Sequence, residues 1–71
     1  MQNKVIEILE EVLEIKIAQD ASADNISEWD SLNQIRIILE IENTFNLKVN
    51  FDDISKLTSV DTIVKYLKKN I

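Results

Sequence analysis

The sequence predicts an all-α fold, a small bundle of three main helices plus one short helix, with residues 1–71 forming a single domain. Three observations predict it. Apolar residues recur three and four apart in three separate segments, the period of a helix with one buried face. No stretch reads as one of a pair of strands. Asp, Ser and Asn stand at the segment boundaries of a chain that has neither glycine nor proline to mark them.

The first helix is expected from near Asn3 to Ile17. Val5, Ile6, Leu9, Val12 and Leu13 make its apolar face, and Glu7, Glu10, Glu11 and Glu14 its solvated one. The period then breaks in "AQDASADNISEWD", Ala18 to Asp30, where small and polar residues predict a long loop. Ile26 and Trp29 are too apolar to stand in water, so at least one of them is expected to pin this loop to the core. The second helix starts at Asp30 or Ser31 and ends near Phe45. Asp30 suits the N-cap, where a carboxylate accepts from free backbone N–H groups. Asn46 suits the left-handed position after the last turn. "LKVNFDDISKLTS" has room for one short helical turn, around Phe51 to Ile54. Ser59 caps a last helix from Val60 to Lys69, whose apolar residues are Val60, Ile63, Val64 and Leu67. Lys65, Lys68 and Lys69 come late in it, where cations suit the helix dipole.

The inventory excludes several kinds of chemistry. A chain of 71 residues buries only about 60% of its unfolded surface, which leaves no deep interior for a catalytic constellation. It has no cysteine and no histidine, hence no thiolate, no disulfide and no imidazole base. No catalytic residue and no enzyme activity are expected. No metal site is expected either: Asp20, Asp24 and Asp30 lack calcium-loop spacing, and Ser31 stands where that loop needs its last glutamate. The N-terminal segment is punctuated by acids, unlike a signal peptide, and no apolar run approaches membrane-spanning length. A cytoplasmic protein with no membrane partner is the expectation. The net charge is −5, with ten acids and three bases in residues 1–47 against three acids and five bases in residues 48–71. This acidity disfavours nucleic acid and favours partners with basic patches.

The second helix has more apolar surface than one buried stripe requires. On a helical projection from Leu32, Ile37, Ile38, Ile41 and Phe45 fall between about 140° and 240°. Leu32, Ile35 and Leu39 form a second strip on another side, beside Arg36 and Asn43. Two readings are open. The strip packs under the long loop or the short helix, or it is a partner-docking surface next to Ser31.

"WDSLNQIRIILEIENTF", a following valine and then "LTSVDTIVKYL" resemble the phosphopantetheine-binding carrier family, which includes acyl carrier proteins and peptidyl and aminoacyl carrier domains. The resemblance covers nearly the whole chain. It implies an acyl-carrier-like bundle over residues 1–71, working as a monomer. It implies that Ser31 is the attachment site of a covalent 4′-phosphopantetheine arm, taken from coenzyme A by a phosphopantetheinyl transferase. The arm's thiol then carries a thioester-linked acyl or aminoacyl group between a loading enzyme and downstream acyl-using enzymes. The partner-binding residues expected on the docking reading of the second strip are Leu32, Ile35 and Leu39 with Arg36 beside them, and the resemblance adds Asp30. Two departures narrow the role. Glu28 stands where many members have glycine, and Arg36 stands where fatty-acid carriers usually have an acid. Both point to a stand-alone carrier of a specialised pathway, for amino acids, hydroxy acids or modified sugars. The alternative is an unmodified helical interaction module in which Ser31 is only part of a cap.

The uneven charge generates a prediction. Self-repulsion in the acidic first half is screened by salt. The melting temperature at neutral pH should therefore rise from low to moderate ionic strength, as followed by thermal unfolding across a salt series.

Overall fold

The computed structural model describes residues 1–70. Helix α1 spans Gln2–Leu13, α2 spans Ser31–Phe45, α3 spans Phe51–Ile54 and α4 spans Val60–Asn70. Helix α1 packs against α2 and α4, and the short α3 packs against α2. The molecule measures 27 × 23 × 17 Å, and its short axis leaves depth for no more than two helices of about 10 Å diameter. The core is accordingly one thin layer. Val5, Leu9, Ile37, Ile41, Val60, Ile63 and Leu67 are fully buried in it.

Helices α2 and α4 begin, and α1 and α2 end, for local reasons. In α2, Asp30 is the N-cap, and the Asn33 N–H donates to its Oδ1 at 2.9 Å. In α4, Ser59 and Thr62 cap each other: the Thr62 N–H donates to Ser59 Oγ (3.0 Å) and the Ser59 N–H donates to Thr62 Oγ1 (3.1 Å). This is the reciprocal logic of a capping box, with threonine in place of the usual glutamate. Lys68 and Lys69 occupy the last turn of α4, opposite its negative dipole end.

Helix α1 ends four residues before the expected Ile17. Glu14 adopts the left-handed conformation (φ 58°), and its N–H donates to the Glu10 carbonyl. The Ile17 N–H then donates to the Glu10 side chain, Oε2, at 3.0 Å. The same device ends α2. Asn46 is left-handed (φ 54°) and donates to the Glu42 carbonyl, while the Val49 N–H donates to Glu42 Oε2 at 2.9 Å. A glutamate four residues before each left-handed residue thus holds the outgoing chain twice, by its carbonyl and by its carboxylate. The early stop lets Ile17 turn back into the core, where it is buried. The buried face of α1 is also centred differently from the expectation. Ile8 is buried, whereas Ile6 and Val12 are half-buried, because α1 must cover two helices rather than one.

The loop between α1 and α2 is held down at three places. Ala21 and Trp29 are buried, and Ile26 is half-buried against the core. Ser22 also pairs with Ser59 in an antiparallel bridge. The Ala23 N–H donates to the Thr58 carbonyl (2.8 Å) and the Val60 N–H to the Ala21 carbonyl (3.1 Å). Among the described residues this bridge is the whole of the β structure, too short to make a strand.

The two left-handed residues generate a prediction. A left-handed conformation costs a non-glycine residue about 1–2 kcal/mol, less for asparagine, and glycine returns part of that gain through unfolded-chain entropy. Glu14→Gly should raise stability by about 0.5–1 kcal/mol, and Asn46→Gly should raise it less. Urea midpoints of the two variants against wild type check this order.

Candidate functional site

The site gathers where the long loop meets the start of α2. Ser31 is the first residue of α2 and is exposed. The first N–H groups of a helix have no helical acceptor and carry its positive dipole end, so the backbone around Ser31 favours an anion. Asp30 precedes it as cap, and the Asn33 amide donates to the Glu28 carbonyl at 2.8 Å. Side chains two residues on from Ser31 thus fix the loop that leads into it.

Behind Ser31 lies a polar brace. The Trp29 indole N–H donates to Gln34 Oε1. The Gln34 amide nitrogen donates to the Ile54 carbonyl (2.7 Å) and to the Leu57 carbonyl (2.9 Å). An indole N–H can only donate and a carbonyl can only accept, so these partners admit one orientation of the amide. One side chain thereby joins the loop, α2, the end of α3 and the segment leading to α4. Leaving any of these groups dry and unpaired costs about 1–3 kcal/mol.

In front of the brace is an open cleft of about 710 Å³. Trp29, Asp30, Ser31, Gln34, Ile35 and Ile54 are among the residues that line it. Phe51, on α3, also lines it and is 85% exposed. The second apolar strip of α2 is exposed too: Leu32 by 63%, Ile35 by 45% and Leu39 by 53%. Neither the loop nor α3 covers it, so the expectation that it packs under one of them does not hold. The other stripe of α2 is core, with Ile37, Ile38 and Ile41 buried and Phe45 half-buried.

Ser31, Asp30, Leu32, Ile35, Arg36 and Leu39 therefore all lie on one exposed stretch of α2. Arg36 and Leu39 line a shallow surface depression with Glu11, Glu14 and Glu40. Among the described residues the ion pairs are Lys56–Asp53 (3.8 Å) and Lys65–Asp61 (3.1 Å), both in the less acidic part of the chain. No three carboxylates among the described residues converge as a metal site requires. Gln34 is the site residue that reading the sequence misses. A signal for it exists: at about 200° on the same projection it lies inside the core stripe, where a polar residue needs buried partners.

The family model for the phosphopantetheine attachment site matches residues 3–67. The acyl carrier protein of Syntrophus aciditrophicus is 31% identical to this chain over 71 aligned residues, covering 96% of this chain and 89% of that protein. The acyl carrier protein of Lactobacillus johnsonii is 30% identical over 71 residues, with the same shares covered. That of Karelsulcia muelleri is 38% identical over 56 residues, covering 79% of this chain and 68% of that protein. Carriers of this kind are handled by transferases and acyl-processing enzymes and are not themselves catalysts. With four helices in a compact bundle and a family match over almost its full length, this chain belongs to the phosphopantetheine-attachment family of acyl carrier proteins, and it is a carrier that bears covalent 4′-phosphopantetheine.

Proposed function

We propose that Ser31 holds the arm, that residues 1–71 are a single carrier domain working as a cytoplasmic monomer, and that its cargo belongs to a specialised pathway. One observation carries the attachment: Ser31 is the exposed serine at the first position of α2, and it lines an open cleft. Attachment forms a P–O bond from Ser31 Oγ to the phosphorus that bears the pantetheine of coenzyme A. The P–O bond to adenosine 3′,5′-bisphosphate breaks, and the serine proton leaves to a base. The chain has no histidine to act as that base, and the reading assigns it to the transferase. The chain's residues suit the group they would hold. The phosphodiester gains about 0.3–1 kcal/mol from the helix N-terminus, and Asp30 keeps its carboxylate on the Asn33 N–H. The arm's thiol supplies the thioester chemistry that a protein without cysteine lacks.

The exposed strip of Leu32, Ile35 and Leu39, with Asp30 and Arg36 beside it, is the proposed face for the transferase, the loading enzyme and the downstream enzymes. An apolar patch of this size rimmed by polar groups suits brief encounters, in which contact area is small and exchange is fast. Arg36 sits near Glu11, Glu14 and Glu40, so it breaks up an acidic surface that basic partners of fatty-acid carriers would otherwise find. This supports a specialised pathway.

Two predictions test these assignments. Incubation with coenzyme A, magnesium and a broad-specificity transferase should add one phosphopantetheine by intact mass, while Ser31→Ala stays folded at its apo mass. A Ser31→Ala variant that still gains the arm would move the attachment elsewhere. Leu39→Ala should cost under about 1 kcal/mol of stability yet slow loading by the cognate enzyme, whereas Ile41→Ala should cost about 2–5 kcal/mol. Urea midpoints and loading rates separate the two roles, and an equal loss of stability would make Leu39 a core residue.

A further inference from the structure

Ser31 stands in a short stretch between two anchored residues. Trp29 before it is buried, and Gln34 after it is tied to Trp29 and to the carbonyls of Ile54 and Leu57. Between them Asp30, Ser31 and Leu32 are exposed and Asn33 is half-buried. Two bonds from Asn33 order this stretch. Its backbone N–H donates to Asp30 Oδ1 at 2.9 Å, and its side-chain amide nitrogen donates to the Glu28 carbonyl at 2.8 Å. The second bond closes residues 28–33 into a ring that contains Ser31. In a capping box the third helical residue reaches back with Glu or Gln and accepts from the N-cap N–H. Asn33 holds that third position but donates instead, to a carbonyl two residues before the cap. A carbonyl can only accept, so a carboxylate at this position could not make the bond. We propose that Asn33 is a positioning residue for arm attachment: its amide, clasped on the Glu28 carbonyl, holds Ser31 in the arrangement that the transferase binds. The inference rests on attachment at Ser31 and adds a residue to that site.

The reason lies in how helices start. The first N–H groups have no helical acceptor, so the first turn opens at less cost than the middle. In an opened turn Ser31 loses its register with the N–H groups that favour a phosphate. A transferase that binds the closed form sees only the closed fraction, and its apparent affinity falls with that fraction. The Asp30 cap ties Asn33 to the residue just before the helix. The clasp reaches past the cap into the loop, so Ser31 is held from both sides. The clasp is solvent-exposed, and water takes its place when it breaks. Its loss therefore shifts a population and leaves the fold standing. The Asn33 amide is committed to Glu28 and not to the reacting atoms, so it acts on recognition and not on P–O bond formation.

The test measures initial rates of arm transfer from coenzyme A, with magnesium and a broad-specificity transferase, against carrier concentration by intact mass. Asn33→Ala removes the donor and keeps the backbone N–H that meets Asp30. It should raise KM for the carrier about three- to tenfold and leave kcat within about twofold. Asn33→Gln, which keeps an amide donor on a longer stem, should recover part of that loss. Ile63→Val removes one methyl group from the core and costs stability on a similar scale. Its KM should stay at the wild-type value. Amide hydrogen exchange should speed up in Asn33→Ala most at Ser31, Leu32 and Asn33. An unchanged KM in Asn33→Ala overturns the inference, as does a fall in kcat alone or an Asn33→Gln variant no better than Asn33→Ala. An equal rise of KM in Ile63→Val also overturns it, because the effect would then be one of stability. In each of these cases the arm still adds to wild type and the attachment reading stands. If wild type gains no arm, or Ser31→Ala still gains it, the attachment reading fails and this inference falls with it.

Discussion

The structure depends most on the amide of Gln34. The helices α1, α2 and α4 share an apolar layer without it, and the bridge at Ser22 ties the loop to the start of α4, but the Gln34 amide is what joins the end of the loop to the segment around α3. Helix α3 has four residues, no side-chain cap and no fully buried side chain. The loop is long for so small a protein. A single planar group with two donors and an acceptor meets one demand from the loop and two from the segment at and after α3. Because the demands are of opposite kinds, the amide fits in one orientation, and the wall behind Ser31 is fixed with it. The first functional consequence is positional: Ser31 starts a helix whose next turn is anchored on three sides.

Much of this was legible in the sequence, for reasons that differ by element. Helix α2 was legible at both ends and α4 at its start because their signals are local. Asp30 and Ser59 cap by side chains a few residues away, and Asn46 tolerates the left-handed position. The end of α1 was not legible, because Glu14 is a poor left-handed residue and the apolar Ile15 and Ile17 look like a continuing helix. What stops α1 is a carboxylate from one turn back capturing the Ile17 N–H, a contact no periodicity encodes. The Ser22–Ser59 bridge was hidden for the same reason, since two residues carry no pattern. The two apolar strips of α2 were separable by angle, but which one faced water depended on where the loop went. The chemistry of Ser31 is the extreme case. Locally it cannot be told from any cap, and only the match along the rest of the chain gives it meaning.

A thin core also explains why this kind of work suits this kind of protein. A bundle one layer deep cannot desolvate a catalytic group, and the chain has neither thiol nor imidazole to place there. It can hold one flexible attachment at a helix start and show it to larger proteins. The uneven charge serves that task. The ion pairs among the described residues, Lys56–Asp53 and Lys65–Asp61, involve no acid of α1 or the loop, and all of those acids except the half-buried Glu10 are exposed. Their field acts at a distance on basic partners, whereas the apolar strip acts only at contact.

Trp29 gives the protein an optical property. It is the one tryptophan in the chain, it is 4% exposed, and its indole N–H donates to Gln34, five residues on. Indole emission shifts with the polarity and hydrogen bonding of its surroundings, so all tryptophan light from this molecule comes from the wall of the cleft. The brace is therefore also a built-in lamp, one that reads the state of that wall without any label.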